Sequence, residues 1–396
     1  MALGKAESQR GVEYLARDIP RGMELGIRNY WYPVLASEAV PAAKPVGFIA
    51  LGERLVAWRD KDGKPCVARD KCPHRAAKFS AGRVLGGELQ CAWHGLRFDG
   101  SGRCTQIPWE PDDSRLLGEV GIQAYPAEDR AGFLWAYIGE VGKFPPPPLD
   151  DCLPEEFVRP EGFASFRIEV QEWQCNWLQA MDGNDAYHAV VLHSNSQGVT
   201  RDKWTGGALK SASIPLEERR MKILETPKGL RSIAVDGSGG HIHHGHLFSD
   251  WNGEPYTLPC LYTIPTSPGQ DTGPLAIRFY VTPIDERSCR AFRTITMIAR
   301  TPEQRERCER LWAEYYHARY LTVAGEDRAI CESLGDLAES RSAEFLFNVD
   351  RDVLKARRLL SGAFLAQREG VRPLPGREAL AYPISDPDRV QYQAPA

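Results

Sequence analysis

Four side chains stand in two short clusters that could hold a metal. Cys72 and His74 lie in KCPHR, and Cys91 and His94 in QCAWHGLRFDGSG. The pattern is Cys-x-His, sixteen intervening residues, then Cys-x-x-His. Close spacing brings both side chains of one loop to one point, and Gly82, Gly95 and Gly100 let the backbone fold tightly over it. Zinc would take all four ligands on one tetrahedral centre. A mixed-ligand [2Fe–2S] cluster would take the two Cys on one iron and the two His on the other. Zinc fingers usually separate a Cys pair from a His pair. Here each loop carries one of each, so each loop can reach both irons of a cluster. Such a cluster at a protein edge relays electrons, and it needs something to deliver them to.

A second constellation lies in NDAYHAVVLH, residues 184–193. His188 and His193 stand five apart, and Asp185 sits three before His188. A ferrous site for O2 activation needs two His and one carboxylate on one face of the metal, with the other positions open. At about 100° per residue the two imidazoles lie about 140° apart on a regular helix. Both can reach one ion only if the helix ends or bulges between Ala189 and Leu192. Asp185 and His188 share a helix face, which suits Asp185 as a hydrogen-bonding partner of His188 rather than a ligand. Taken alone, the stretch also fits an amphipathic helix with partly exposed histidines. HIHHGH at 241–246 invites a third site. Strand alternation would put His241 and His243 on one face and His244 and His246 on the other, and they read as pocket-lining or exposed residues. His317 reads as structural. Eight further cysteines show no paired spacing and read as free thiols.

These residues need elements to carry them. From Trp31 to Tyr137 short apolar runs (VGFIALG, RLVAWRD, PCVARD, LQCAWHG, LRFD, FLWAYIG) are bounded by KDGK, GG and DGSG. That is an antiparallel β domain of hairpins. The stretch Pro145 to Pro148 is a stiff linker or crossover. Beyond it SFRIEVQEW reads as a strand and CNWLQAMDGNDAYHAVVLH as a helix. Five strand-like runs follow (MKILET, LRSIAVDG, LYTIPT, LAIRFYVTPI, CRAFRTITMIAR). A long helix begins at TPEQRERCERLW, with Thr301 as N-cap and Pro302 and Glu303 in its first turn. The expected fold is α+β. Residues 1–27 form an N-terminal extension, 28–144 an all-β cluster domain, and 145–396 an α+β catalytic domain with an antiparallel sheet flanked by helices.

CPHR and CAWHGLRFDGSGRC resemble the two binding loops of Rieske proteins. The stretch from WYPVLASEAV to DKCPHR is similar to the front end of Rieske oxygenases, over about residues 28 to 110. WQCNWLQAMDGNDAYHAVVLH resembles the iron-binding segment of Rieske non-heme iron oxygenases, with Asn176-Trp177 in the usual place. Two departures stand out: Trp93 where the family more often has Tyr, and Met181 where many members carry Asn. The resemblance implies a Rieske [2Fe–2S] cluster on Cys72, His74, Cys91 and His94. It implies mononuclear Fe(II) on His188, His193 and a late-helix carboxylate. Asp327 in AGEDRAICES is that carboxylate, with Glu326 and Glu332 as alternatives. Asp185 would link an iron His to His94 of a neighbouring subunit, in a head-to-tail ring, most simply a trimer. O2 is then the co-substrate. No Gly-x-Gly-x-x-Gly follows a strand, so electrons would come from NAD(P)H through a separate reductase, with or without a ferredoxin. The chain also resembles the phthalate-oxygenase-like group. That implies a terminal oxygenase component hydroxylating or O-demethylating a small aromatic acid, with ring cis-dihydroxylation as the alternative. A Rieske electron carrier without oxygenase activity is the alternative from another class.

Composition narrows the field. The chain has 396 residues and a net charge of −4, with Lys and Arg spread along it. There is no basic block to suggest nucleic acid or a membrane surface. The N-terminus has no apolar signal core, and no run of about 18 apolar residues occurs, which points to a cytoplasmic protein. Ten cysteines in such a length are too sparse for a secreted disulfide framework.

Overall fold

The computed structural model describes residues 19–183, 188, 192–193, 220–225, 229–235, 256–266, 275–346 and 350–383. The chain divides into two compact units, Arg28–Leu153 with Thr282–Glu286, and the remainder.

The first unit is all-β around its core. One sheet has the order β1-β11-β10, from Tyr30–Ala36, Phe133–Ile138 and Ala127–Arg130. A second runs β2-β3-β4-β9, from Val46–Ala50, Glu53–Arg59, Pro65–Arg69 and Ala124–Tyr125. A third is the antiparallel series β5-β6-β7-β8, from Arg83–Leu85, Glu88–Gln90, Arg97–Phe98 and Cys104–Gln106. Leu55, Val56, Ala57 and Trp58 are all buried, so β3 is covered on both faces, which explains its unbroken apolar run. Val56, Trp58, Phe79, Leu89, Leu96 and Phe98 form one core with Cys72 and Cys91. Each such large apolar side chain contributes about 1.5–3 kcal/mol when fully buried. The metal-type cysteines are therefore rooted in the hydrophobic core.

The second unit is built on a seven-stranded antiparallel sheet of order β12-β18-β17-β16-β15-β14-β13. Its strands are β12 Gly162–Trp173, β13 Arg220–Glu225, β14 Gly229–Val235, β15 Tyr256–Thr257, β16 Leu261–Thr266, β17 Leu275–Pro283 and β18 Cys289–Ala299. Successive hairpins run from β13 to β18, and β12 closes the far side against β18. Alternation sets the faces. Ile295, Met297 and Ala299 of β18, with Ala164 and Ile168 of β12, pack with Cys308, Tyr316 and Tyr320. Those last three belong to helical turns running from Pro302 to Ser333. Thr301 caps the start: its Oγ1 accepts from Gln304 N, and the Gln304 side chain returns to Thr301 N. A wide π turn over Trp312–Tyr316 joins Pro302–Leu311 to His317–Ser333. The fold thus has the predicted order, a β domain and then an α+β domain whose antiparallel sheet carries helices. Among the described residues no helix is long and apolar enough to cross a membrane.

Candidate metal centres

The two cluster loops of the first unit repeat one backbone design. Cys72 N donates to Ala77 O and Ala76 N to Cys72 O, at 2.8 and 2.9 Å. Cys91 N donates to Leu96 O and Gly95 N to Cys91 O, at 2.9 and 3.1 Å. The fourth residue after each Cys is left-handed, Ala76 at φ 61° and Gly95 at φ 77°. A left-handed turn brings the His of each loop back over its Cys. Gly fills that position in one loop without strain, and Ala fills it in the other.

Both cysteines are 2% exposed, whereas His74 is exposed and His94 partly so. The Cys72 and Cys91 side chains are in contact, and burial pushes the Cys72 thiol up to about 11. A bound metal cation would deprotonate this thiol to a thiolate ligand. Toward the surface, His74 Nδ1 and His94 Nδ1 face each other at 3.1 Å. Two nitrogens held tetrahedrally by one ion at about 2.1 Å would lie about 3.4 Å apart. A sulfur pair inside and a nitrogen pair outside fit a cluster whose irons differ in ligands. Trp93, 55% exposed, stacks on His94 at 4.8 Å, and Arg75 lies 4.6 Å over its ring.

In the second unit the sheet and two helical segments converge on another group. The helix Trp177–Asp182 is opened by Asn176, whose side chain accepts from Leu178 N while Gln179 returns to Asn176 N. Asn176 Nδ2 and Trp177 Nε1 donate to Glu24 O and Met23 O. At its end Asp182 takes a two-point bond from Arg357 and an ion pair from Arg341, and both arginines also hold Glu344. The segment entering the site is thus anchored at both ends.

Beyond it, His188 is helical, while Leu192 and His193 form a turn. Leu192 N still donates to His188 O at 2.7 Å. His193 thus lies in a turn rather than in a helix. Their rings meet edge-on with centroids 5.2 Å apart. Asp327, on the helix His317–Ser333, completes the set: one ligand atom from each of His188, His193 and Asp327 lies within 4.8 Å of the others. Asp327 Oδ1 is 3.5 Å from His188 Nε2 and 3.1 Å from His193 Nε2. Ligands at right angles about one ion at about 2.1 Å lie about 3.0 Å apart, so the spacing fits a divalent ion. Oδ1 is buried and satisfies no conventional hydrogen-bond geometry, as a ligand oxygen awaiting a cation would. Burial alone would raise the Asp327 carboxyl. The imidazoles of His188 and His193 and the Arg293 guanidinium instead hold it well below the usual carboxylate range, so it is ionised.

The alternative carboxylates have other work. Glu326 Oε2 lies 2.8 Å from His193 Nδ1. Adjacent residues of one helix therefore grip opposite edges of one imidazole, Asp327 at Nε2 and Glu326 at Nδ1. Glu332 Oε1 accepts from Gln174 N and Arg328 Nε, away from the histidines. Sequence reasoning missed Arg293, whose Nη2 donates to Asp327 Oδ2 at 3.2 Å. The available signal was a pair of cations, Arg290 and Arg293, inside the strand CRAFRTITMIA. Asp185 and 241–246 lie outside the described residues. None of the ten cysteines forms a disulfide.

The Rieske [2Fe-2S] domain family matches residues 30–126. The phthalate 4,5-dioxygenase oxygenase subunit of Pseudomonas putida is 32% identical over 55% of this chain and 49% of its own. The 5,5'-dehydrodivanillate O-demethylase oxygenase subunit of a Sphingobium species is 35% identical over 43% of this chain and 39% of its own. The matches thus span less than half the length of these relatives. Among solved structures, the reduced complex between oxygenase and ferredoxin in carbazole 1,9a-dioxygenase superposes with a TM-score of 0.69. That match covers 93% of this chain and 99% of that one at 20% identity, which speaks to fold alone. The chain therefore carries a Rieske [2Fe–2S] domain and, over about half its length or less, is similar to the oxygenase subunits of these enzymes. It combines a Rieske [2Fe–2S] domain with a His-His-Asp triad consistent with a mononuclear iron site.

Proposed function

We propose that this chain is a terminal oxygenase component that uses O2 and two electrons to hydroxylate or O-demethylate a small aromatic acid. The observation that carries this is the meeting of His188, His193 and Asp327 in a chain that also holds the two cluster loops. An electron carrier needs no second set of ligands, so the carrier reading is disfavoured. Iron held by two His and one carboxylate supplies the redox chemistry for O2 at its open positions. The protein's share is positioning. Glu326 orients His193, Arg293 and the imidazoles keep Asp327 ionised, and His74 and His94 place the cluster's edge at the surface. Residues 28–144 then form the electron-receiving domain and 145–396 the catalytic domain. By the family resemblance Asp185 links His188 to His94 of the next subunit in a trimer. A separate reductase, with or without a ferredoxin, passes on electrons from NAD(P)H. The chain works in the cytoplasm. The relatives named for O-demethylation and for phthalate support an aromatic carboxylate, and ring cis-dihydroxylation remains the second reading on the same ground.

The test is O2 uptake by the purified chain with a surrogate reductase across a panel of benzoates and methoxybenzoates. One acid should stimulate uptake and yield a product labelled from 18-O2, or formaldehyde in the demethylation case. Uptake indifferent to every aromatic acid would sink the substrate class. Absence of both O2-derived label and formaldehyde would sink the oxygenase reading itself.

A further inference from the structure

Among the described residues, Arg293 is one of three buried arginines on adjacent strands of the sheet, with Arg278 and Arg290, whose partners are Glu156 and Glu172. It sits on β18, between β12 and β17, and is 7% exposed. Its guanidinium carbon lies 4.9 Å from the Trp173 ring centre and 4.2 Å from that of Phe279. The planar cation is thus wedged against two aromatic rings, each favouring it through its π face. From this seat Nη2 donates to Asp327 Oδ2 at 3.2 Å. The other oxygen, Oδ1, is the one that faces His188 and His193.

The two oxygens of Asp327 therefore have separate partners. A carboxylate can hold a cation through one oxygen or chelate it through both. Chelation requires Oδ2 to turn toward the imidazoles and give up Arg293. Arg293 cannot follow, because the rings and the flanking strands fix it. It would then be a buried cation without that charge-assisted bond, a costly state. We propose that Arg293 is a positioning residue that confines Asp327 to single-oxygen ligation, and so keeps one further position on the metal open beside the two histidines. This rests on the reading of His188, His193 and Asp327 as the iron ligands.

The arrangement has a second consequence. Arg293 offsets negative charge on Oδ2, while Oδ1 faces the two imidazoles. Lysine could supply the charge but not the flat group that lies against Trp173 and Phe279.

The experiment loads cobalt(II) into the mononuclear site of the holoprotein, with the cluster intact. X-ray absorption at the cobalt edge sees that ion alone, despite the cluster's irons. A chelating carboxylate is recognised by a shortened distance from metal to carboxylate carbon. Wild-type protein should show the longer, single-oxygen distance. Arg293→Met should shift it to the shorter one, with cobalt affinity equal to wild type or tighter. Arg293→Lys, which keeps a donor toward Oδ2, should retain the longer distance. A merely structural role predicts instead an affinity loss of tenfold or more in Arg293→Met with no change of distance, and that result overturns the proposal. A chelating Asp327 in wild type overturns it whether or not either variant folds. Failure of wild type to bind cobalt at these residues is distinguishable from both, and sinks the ligand assignment together with the inference.

Discussion

Glu326→Ala tests the difference between a ligand and a ligand's partner. Glu326 accepts from His193 Nδ1 at 2.8 Å, which fixes the ring and leaves Nε2 to face the metal. Partners of this kind are worth about 10–100-fold in metal affinity, or roughly 1.4–2.7 kcal/mol. The Glu326 side chain is 23% exposed, so solvent screens part of its charge. That places the expected loss in the lower half of the range, about 10–30-fold. Glu326→Gln keeps an acceptor oxygen without the charge. A charge-assisted hydrogen bond is roughly twice as strong as a neutral one, so half the free energy should survive, leaving a loss of about 3–5-fold. The assay is an anaerobic competition titration of ferrous ion against a chelating dye, with the cluster's visible spectrum as the control for folding. Two results would refute the reasoning. Unchanged affinity in Glu326→Ala would mean that the contact does not orient His193. Loss of binding as complete as in Asp327→Ala would make Glu326 a ligand.

Ala76 holds a left-handed conformation at the position Gly95 fills in the companion loop. Ala76→Gly should therefore stabilise the first unit by about 1 kcal/mol, read as a raised urea midpoint with unchanged slope. The reverse exchange, Gly95→Ala, should destabilise it, since its new Cβ would also press on Pro108 at 3.1 Å. Burial pushes the Cys66 thiol up to about 12, so the folded chain keeps that proton when the unfolded chain begins to lose it near 9.0. Stability should then fall as pH rises above 9, by up to about 1.4 kcal/mol per pH unit from this group. Cys66→Ala should flatten the stability profile between pH 9 and 10, and a profile parallel to wild type would contradict this. Thr301→Ala removes the acceptor for Gln304 N and should cost about 1 kcal/mol in the thermal or urea stability of the second unit.

Local chemistry made much of the cluster domain legible. Cys72, His74, Cys91 and His94 could be paired from residue type and spacing because each loop is a short turn, and turns are local structures. Thr301 with Pro302 marked the start of the long helix for the same reason. The π turn at Trp312–Tyr316 left no local mark, because it answers to packing against β12 and β18. Spacing showed that His188 and His193 need a break between them, but not which carboxylate meets them. Glu326 and Asp327 are neighbours about 100° apart on one helix. Which one faces Nε2 depends on how that helix lies on the sheet, a relation between residues more than 130 apart in sequence. Arg293 was hidden for a similar reason. Its partner Asp327 comes from another element, and its seat between Trp173 and Phe279 exists only once three strands are side by side.

The central claim is that one chain holds two separate iron centres on two named sets of residues. Iron and acid-labile sulfide per chain, measured with the visible spectrum in wild type and in Asp327→Ala, test it most directly. Wild type should carry about three irons and two sulfides. Asp327→Ala should fall to about two irons, with sulfide and the cluster spectrum unchanged. An iron content of two in wild type, or a variant that loses the cluster spectrum along with its iron, would contradict the account.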